Sequence, residues 1–171
     1  MLTARRVARW RVPLGWLTGF AALALARPTW WSWVMGLVVA VVGQAVRVWA
    51  AGHLEKSSEV TTSGPYRFMR HPLYVGSSIL AAGVVIASNS YVLAVVAAVY
   101  MTVTIAAAVR TEEAFLRRRF GEDYDRYARA EAPRVARRFS VERAMRNNEY
   151  RAVSGLLAGF ALLALRMFLH L

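Results

Sequence analysis

The chain alternates between long apolar runs and shorter polar stretches, and the runs are too continuous to be half-faces of surface helices. Five stand out, over residues 12–26, 30–51, 72–87, 91–109 and 152–171. Each approaches the ~20 residues an α-helix needs to cross a bilayer, with tilt or local thinning expected for the shorter ones. The pattern predicts an all-α integral-membrane protein of about five transmembrane helices, organised as one domain over 1–171. Trp30, Trp31 and Trp33 open the second run, and indoles favour the membrane–water interface. Ser88-Asn89-Ser90 makes a tight link between the third and fourth runs. Between the fourth and fifth, Leu116, Phe120, Tyr124 and Tyr127 recur at helical spacing and predict a cytoplasmic amphipathic helix over 111–130. Pro133 is expected to stop it, with residues 134–146 continuing as a basic surface segment.

Charge orients the spans. Of the 22 Lys and Arg residues, only Arg27 and Arg166 fall toward one side, and all ten carboxylates lie with the majority. The positive-inside rule then puts the N-terminus in the cytoplasm and the C-terminus outside. The net charge of +12 acts through this distribution as an orientation signal and an attraction to anionic lipid, not as a nucleic-acid footprint. Lys56 is the single lysine, and the Arg, Ala, Val and Gly content suggests a GC-rich bacterium and its inner membrane. No small-residue cleavage site stands out after the first run, so no cleaved signal peptide is expected. The absence of cysteine excludes disulfides, thiolate nucleophiles and thiol lipidation. With no HExxH and no paired histidines, no metal site is expected, and there is neither a phosphate-binding loop nor a GxGxxG.

Two polar clusters beside the apolar runs carry the candidate chemistry. One is the turn-rich stretch 61–76, which includes Gly64-Pro65-Tyr66 and Arg70-His71-Pro72-Leu73-Tyr74. The other runs from Arg110-Thr111-Glu112-Glu113 to Tyr127. Both have structural readings. Pro72 suits the first position of a helix, where a missing N–H costs nothing. Glu112 and Glu113 offset a helix dipole, and Glu113 can pair with Arg117 one turn on. The functional reading is a single cytoplasmic pocket. Free N–H groups at a helix start, with Arg70 and His71, suit an anionic ligand group, and a glutamate suits ligand hydroxyls or a cation. Arg47 is read as snorkelling to the cytoplasmic surface, His53 as a polar helix terminus, and Gly36 and Gly43 as helix-packing positions.

In their order, Ser63-Gly64-Pro65-Tyr66, Arg70-His71-Pro72-x-Tyr74-x-Gly76, Glu112-Glu113 and Phe120-Gly121-Glu122-x-Tyr124-x-x-Tyr127 resemble the isoprenylcysteine carboxyl methyltransferase family. Phospholipid N-methyltransferases are a looser match. The resemblance covers a core of about 44–138, while the last span, about 152–171, matches by hydropathy alone. It implies an integral-membrane methyltransferase that uses S-adenosylmethionine and a lipophilic acceptor. Carried over residue by residue, Ser58, Glu59, Val60 and Thr61 form a cofactor-contact stretch. Tyr66, Arg70, His71, Pro72, Leu73 and Tyr74 line the cofactor site, and Glu112 is the cofactor-binding glutamate. Arg110 stands nearest the family's substrate-contacting arginine, half a helical turn away. A carboxylate or thiolate acceptor needs no base, whereas a phenol, enol or amine gains from proton removal, for which His71, Glu113 and Tyr74 are the candidates. The alternatives are a membrane NADPH-dependent reductase of the sterol-reductase type, in which an acidic residue tends to stand where this chain has Ser77, and a non-catalytic lipid-binding module.

Overall fold

The computed structural model describes residues 24–56, 58–133 and 135–169. Six helices lie wholly within them: α1 (Trp30–Ala51), α2 (Pro72–Ser88), α3 (Tyr91–Phe120), α4 (Glu122–Ala128), α5 (Val141–Arg146) and α6 (Glu149–Leu169). A 3-10 turn, Gly64–Arg67, sits between α1 and α2. Among the described residues there is no strand. α1, α3 and α6 are long and apolar enough to cross a membrane, and α2 is a shorter apolar helix of 17 residues. The predicted first span lies outside the described residues except for 24–26.

Local chemistry fixes the helix ends. At the start of α1, Ser32 N–H donates to Thr29 Oγ1 at 3.1 Å and Thr29 N–H to Ser32 Oγ at 2.9 Å, a reciprocal capping box. Pro72 opens α2, and Asn89 closes it in the left-handed conformation (φ 50°, ψ 44°) that asparagine tolerates. Ser90 then caps α3.

α1 and α2 are antiparallel and pack through two glycine pairs. A Cβ on Gly36 would come within 2.5 Å of the Gly83 carbonyl oxygen, and one on Gly43 within 2.7 Å of the Gly76 carbonyl oxygen. The reciprocal substitutions meet the same backbone, so the two helices touch main chain to main chain. In a bilayer, where apolar burial gives helices little reason to associate, such close contact supplies the attraction. The packing role expected of Gly36 and Gly43 is therefore what the fold shows. α6 docks on α1 through Trp33, whose indole N–H donates to the Phe160 carbonyl at 3.0 Å and whose ring meets Phe160 edge-on. Ala26, Ala40, Ala87, Leu156, Phe160 and Leu163 complete this core. α3 stands apart from it: Leu93 and Thr104 are its buried residues, while Val92, Val95, Val99 and Val103 are exposed.

The polar region after the fourth span differs from the expectation. The helix does not end near Val109 and restart. α3 runs unbroken to Phe120, because a change from apolar to charged side chains does not interrupt backbone hydrogen bonding. The break comes at Gly121, whose φ of 52° ends the helix. α4 then stops at Ala128, before Pro133 is reached, and Ala130 turns the chain with φ 61°. The predicted stripe is thus split, with Leu116 and Phe120 on α3 and Tyr124 and Tyr127 on α4. The basic segment beyond is also not a simple surface. It crosses the C-terminal end of α1, where Ser140 N–H and the Arg143 guanidinium donate to the Gly52 carbonyl at 3.1 and 2.5 Å. Asn147 Nδ2 reaches the Ala51 and Leu54 carbonyls, each at 2.9 Å. These contacts serve carbonyls that a helix end leaves without partners.

Candidate active site at two helix ends

Glu113 is the hub where the two predicted clusters meet. Arg70 Nη1 and His71 Nε2 each lie 3.2 Å from its Oε1, and Arg117 lies 3.7 Å from its Oε2. The geometry follows from two helix ends. Pro72 starts α2 and holds Arg70 and His71 immediately ahead of it. α3 continues past its apolar stretch and carries Glu112, Glu113 and Arg117 out to meet them. The His71 ring also lies beside Tyr74, with centroids 5.9 Å apart.

Glu112, one residue earlier, behaves differently. It is half-buried, and no described residue forms a hydrogen bond or ion pair with it. Its field reaches the phenols around it. Tyr66 is pushed well above the usual tyrosine range, chiefly by burial and next by the Glu112 carboxylate. Tyr124 is also raised, by burial first and then by Glu113, with Glu112 adding to it. Tyr127 is pushed up to about 12, mainly by burial. Its hydroxyl donates to the Tyr66 carbonyl at 2.9 Å, which ties α4 to the 3-10 turn. Between these elements lies a cleft of about 260 Å³, lined by Thr62, Tyr66, Arg67, Met69, Arg70 and Tyr127 among others. A larger apolar groove of about 450 Å³ runs along α1 and α6 by Val48, Trp49 and Leu156, and none of the motif residues lines it.

The other sequence-predicted residues are placed as follows. Pro72 is buried, Leu73 is half-buried and gives its carbonyl to Ser77 Oγ, and Thr61 Oγ1 accepts from Glu55 N–H at 3.2 Å. Ser58 is exposed in a turn, Val60 is half-buried, and Glu59 is held by Arg137 at 2.5 Å. Arg110 is exposed on α3 and makes no ion pair with the Glu113 cluster. The structure therefore gathers Arg70, His71, Tyr74 and Glu113 directly, with Tyr66 within the field of Glu112. It leaves Ser58 and Glu59 in contacts of their own and Arg110 outside the cluster.

Sequence reasoning missed a second polar cluster. Arg47 does not snorkel to the surface. Its Nη2 and Nε bind the Glu149 carboxylate at 2.7 and 3.2 Å, and its Nη1 binds Ser77 Oγ. Gln44 Nε2 donates to the same carboxylate at 3.3 Å. Gln44 and Arg47, three residues apart in an otherwise apolar helix, were the available signal, since polar groups in a span are costly unless paired.

The phospholipid methyltransferase family pattern matches residues 48–123. Protein-S-isoprenylcysteine O-methyltransferase A of Arabidopsis thaliana is 33% identical over 134 residues, covering 71% of this chain and 68% of that protein. The chain belongs to the isoprenylcysteine methyltransferase-like family. The cobalt-zinc-cadmium resistance protein CzcN of Cupriavidus metallidurans is 32% identical, covering 79% of this chain and 67% of CzcN. The nickel-cobalt-cadmium resistance protein NccN of Alcaligenes xylosoxydans xylosoxydans is 33% identical over 75% of this chain, which spans 63% of the NccN length. No solved structure matches the chain. The family pattern takes in Tyr66, Arg70, His71, Glu112 and Glu113 and stops one residue before Tyr124. Family membership and the apolar helices together identify a membrane protein of a methyltransferase family.

Proposed function

We propose that the protein transfers a methyl group from S-adenosylmethionine to a lipophilic acceptor at the cytoplasmic face of a bacterial inner membrane, with its N-terminus inside. The observation that carries this reading is Glu112, a half-buried carboxylate without a partner beside a Glu113 that has three. A half-buried carboxylate left free suits ligand hydroxyls or an amino group. The neighbouring donor set fits the rest of such a cofactor. Arg70 and His71 at the α2 start suit its carboxylate, and the Tyr66 and Tyr74 rings suit adenine or a sulfonium. Pro72 and Leu73 supply apolar wall, and residues Ser58 to Thr61 the preceding stretch.

When bound, the cofactor supplies a methyl carbon on positive sulfur, which is displaced in line by the acceptor heteroatom and leaves a neutral thioether. The protein's work is then alignment and exclusion of water. For an acceptor that must lose a proton, the base is assigned to the His71–Glu113 pair, whose Nε2 and Oε1 lie 3.2 Å apart, with Tyr74 beside the imidazole. Arg110 is assigned to the acceptor's polar end. The acceptor's tail is assigned to the membrane between α2 and α3, where small residues such as Ala82 and Ala97 face outward or half outward.

Calorimetric titration with S-adenosylhomocysteine tests the reading. The wild type should bind it, and His71→Ala and Glu112→Ala should each weaken binding roughly tenfold or more, as expected for loss of a hydrogen bond to a charged group. Unchanged affinity in both variants removes the assignment, and binding of NADPH instead points to a reductase. Labelled methyl transfer into a total lipid extract, read by mass, identifies the acceptor.

A further inference from the structure

Tyr124 is the largest fully buried side chain among the described residues, with 1% of its surface exposed. Its hydroxyl is one of two buried side-chain polar atoms that have no hydrogen-bond partner there, the other being Gln44 Oε1. Leaving a phenol hydroxyl desolvated and unpaired opposes folding. The packing around it calls only for the ring. The Arg117 guanidinium lies over that ring, 5.8 Å from its centroid, and Tyr127 lies at 6.1 Å. Phenylalanine would fill the same space at no such cost.

The surroundings point to a ligand. Arg117, which covers the ring, is also paired with Glu113, and Glu113 is paired with Arg70. The fields of Glu113, Arg70, Arg117 and Glu112 all reach the Tyr124 phenol. The guanidinium that covers the Tyr124 ring thus belongs to the Glu113 cluster, so Tyr124 packs at the edge of the candidate site. Both arginine side chains are about half exposed (48% and 52%), so a ligand from solvent can reach them.

We propose that Tyr124 is a ligand-binding residue whose hydroxyl donates to the amino-acid carboxylate of the methyl donor, alongside Arg70. The proposal rests on the S-adenosylmethionine reading above and extends it to α4, beyond the stretch that the family pattern covers. Ligand arrival draws Arg70 away from Glu113 toward the ligand carboxylate, and the buried hydroxyl then gains the acceptor that it lacks. A carboxylate is the group that uses both a cation and a neutral donor at one point.

The test is Tyr124→Phe in the full chain, purified in detergent, and it predicts effects of opposite sign. Without ligand, the variant should unfold at the same temperature as the wild type or higher, because a buried unpaired group has been removed. Affinity for S-adenosylhomocysteine should fall about tenfold. Affinity for 5′-S-(3-aminopropyl)-5′-thioadenosine, which lacks the carboxylate, should be the same in both proteins. Equal affinity of both proteins for S-adenosylhomocysteine overturns the proposal. So does a less stable ligand-free variant, which makes the hydroxyl structural, or an equal loss for the two ligands, which assigns it to another group. A wild type that binds neither ligand removes the methyl-donor reading itself, a result distinguishable from these three.

Discussion

Arg47 on α1 and Glu149 at the start of α6 meet at 2.7 Å, with the carboxylate only 6% exposed. The pair holds the last helix to the α1–α2 unit through charge, with Gln44 and Ser77 completing the donor and acceptor set. Glu149→Leu should destabilise the protein by about 3 kcal/mol, because it leaves a part-buried arginine without its counter-charge. Arg47→Met combined with Glu149→Leu should recover most of that loss, since two apolar groups need no partner there. Thermal unfolding in detergent measures both. A single variant as stable as the wild type would show that water replaces the carboxylate.

Gly83→Ala tests the backbone contact between α1 and α2. Its added Cβ would lie 2.5 Å from the Ala40 nitrogen and 2.6 Å from the Gly36 carbonyl oxygen, and main chain cannot step aside as a side chain can. The expected loss is about 1–3 kcal/mol, the range for overpacking. Gly159→Ala, where the added atom meets nothing within 4 Å, should be neutral or slightly stabilising and serves as the control.

His53 should make stability fall in acid. Its ring is buried against Phe139, its Nδ1 lies 3.2 Å from Ser63 Oγ, and a Cβ on Gly64 would touch it. Burial holds its pKa below the ordinary value of 6.5, with Arg143, Arg137 and Arg67 lowering it further. Above 6.5 neither the folded nor the unfolded histidine carries the proton, so its contribution there is flat. Below it the unfolded chain takes up a proton that the folded chain refuses, and stability declines until the folded His53 also protonates. His53→Asn should flatten this decline. The measurement is the unfolding temperature of both proteins from about pH 7.5 to about pH 5.

The orientation is open to direct labelling, because the native chain has no thiol. Cysteine introduced at Lys56 should react from the cytoplasmic side, and at Asn89, the turn between α2 and α3, from the outside. Both residues are exposed. The reverse pattern would move the Glu113 cluster to the wrong side for a cytoplasmic cofactor.

The sequence alone determined the apolar helices, because a span must bury its hydrophobic length whatever its neighbours do. α1 matches the run 30–51, and α2 and α3 begin where Pro72 and Tyr91 place them. The same reading singled out Arg70, His71 and Glu113, whose polar types are costly beside a bilayer unless something uses them. It could not place the end of α3, since charge marks the edge of a membrane while only backbone conformation, here at Gly121, marks the end of a helix. Only the tertiary structure decided which charges share a partner. Arg47 and Glu149 are separated by about a hundred positions, and no local pattern brings them together. Likewise, periodicity put Tyr124 and Tyr127 on one stripe, but the bend after α3 gave the Tyr127 hydroxyl a carbonyl and left that of Tyr124 buried with none.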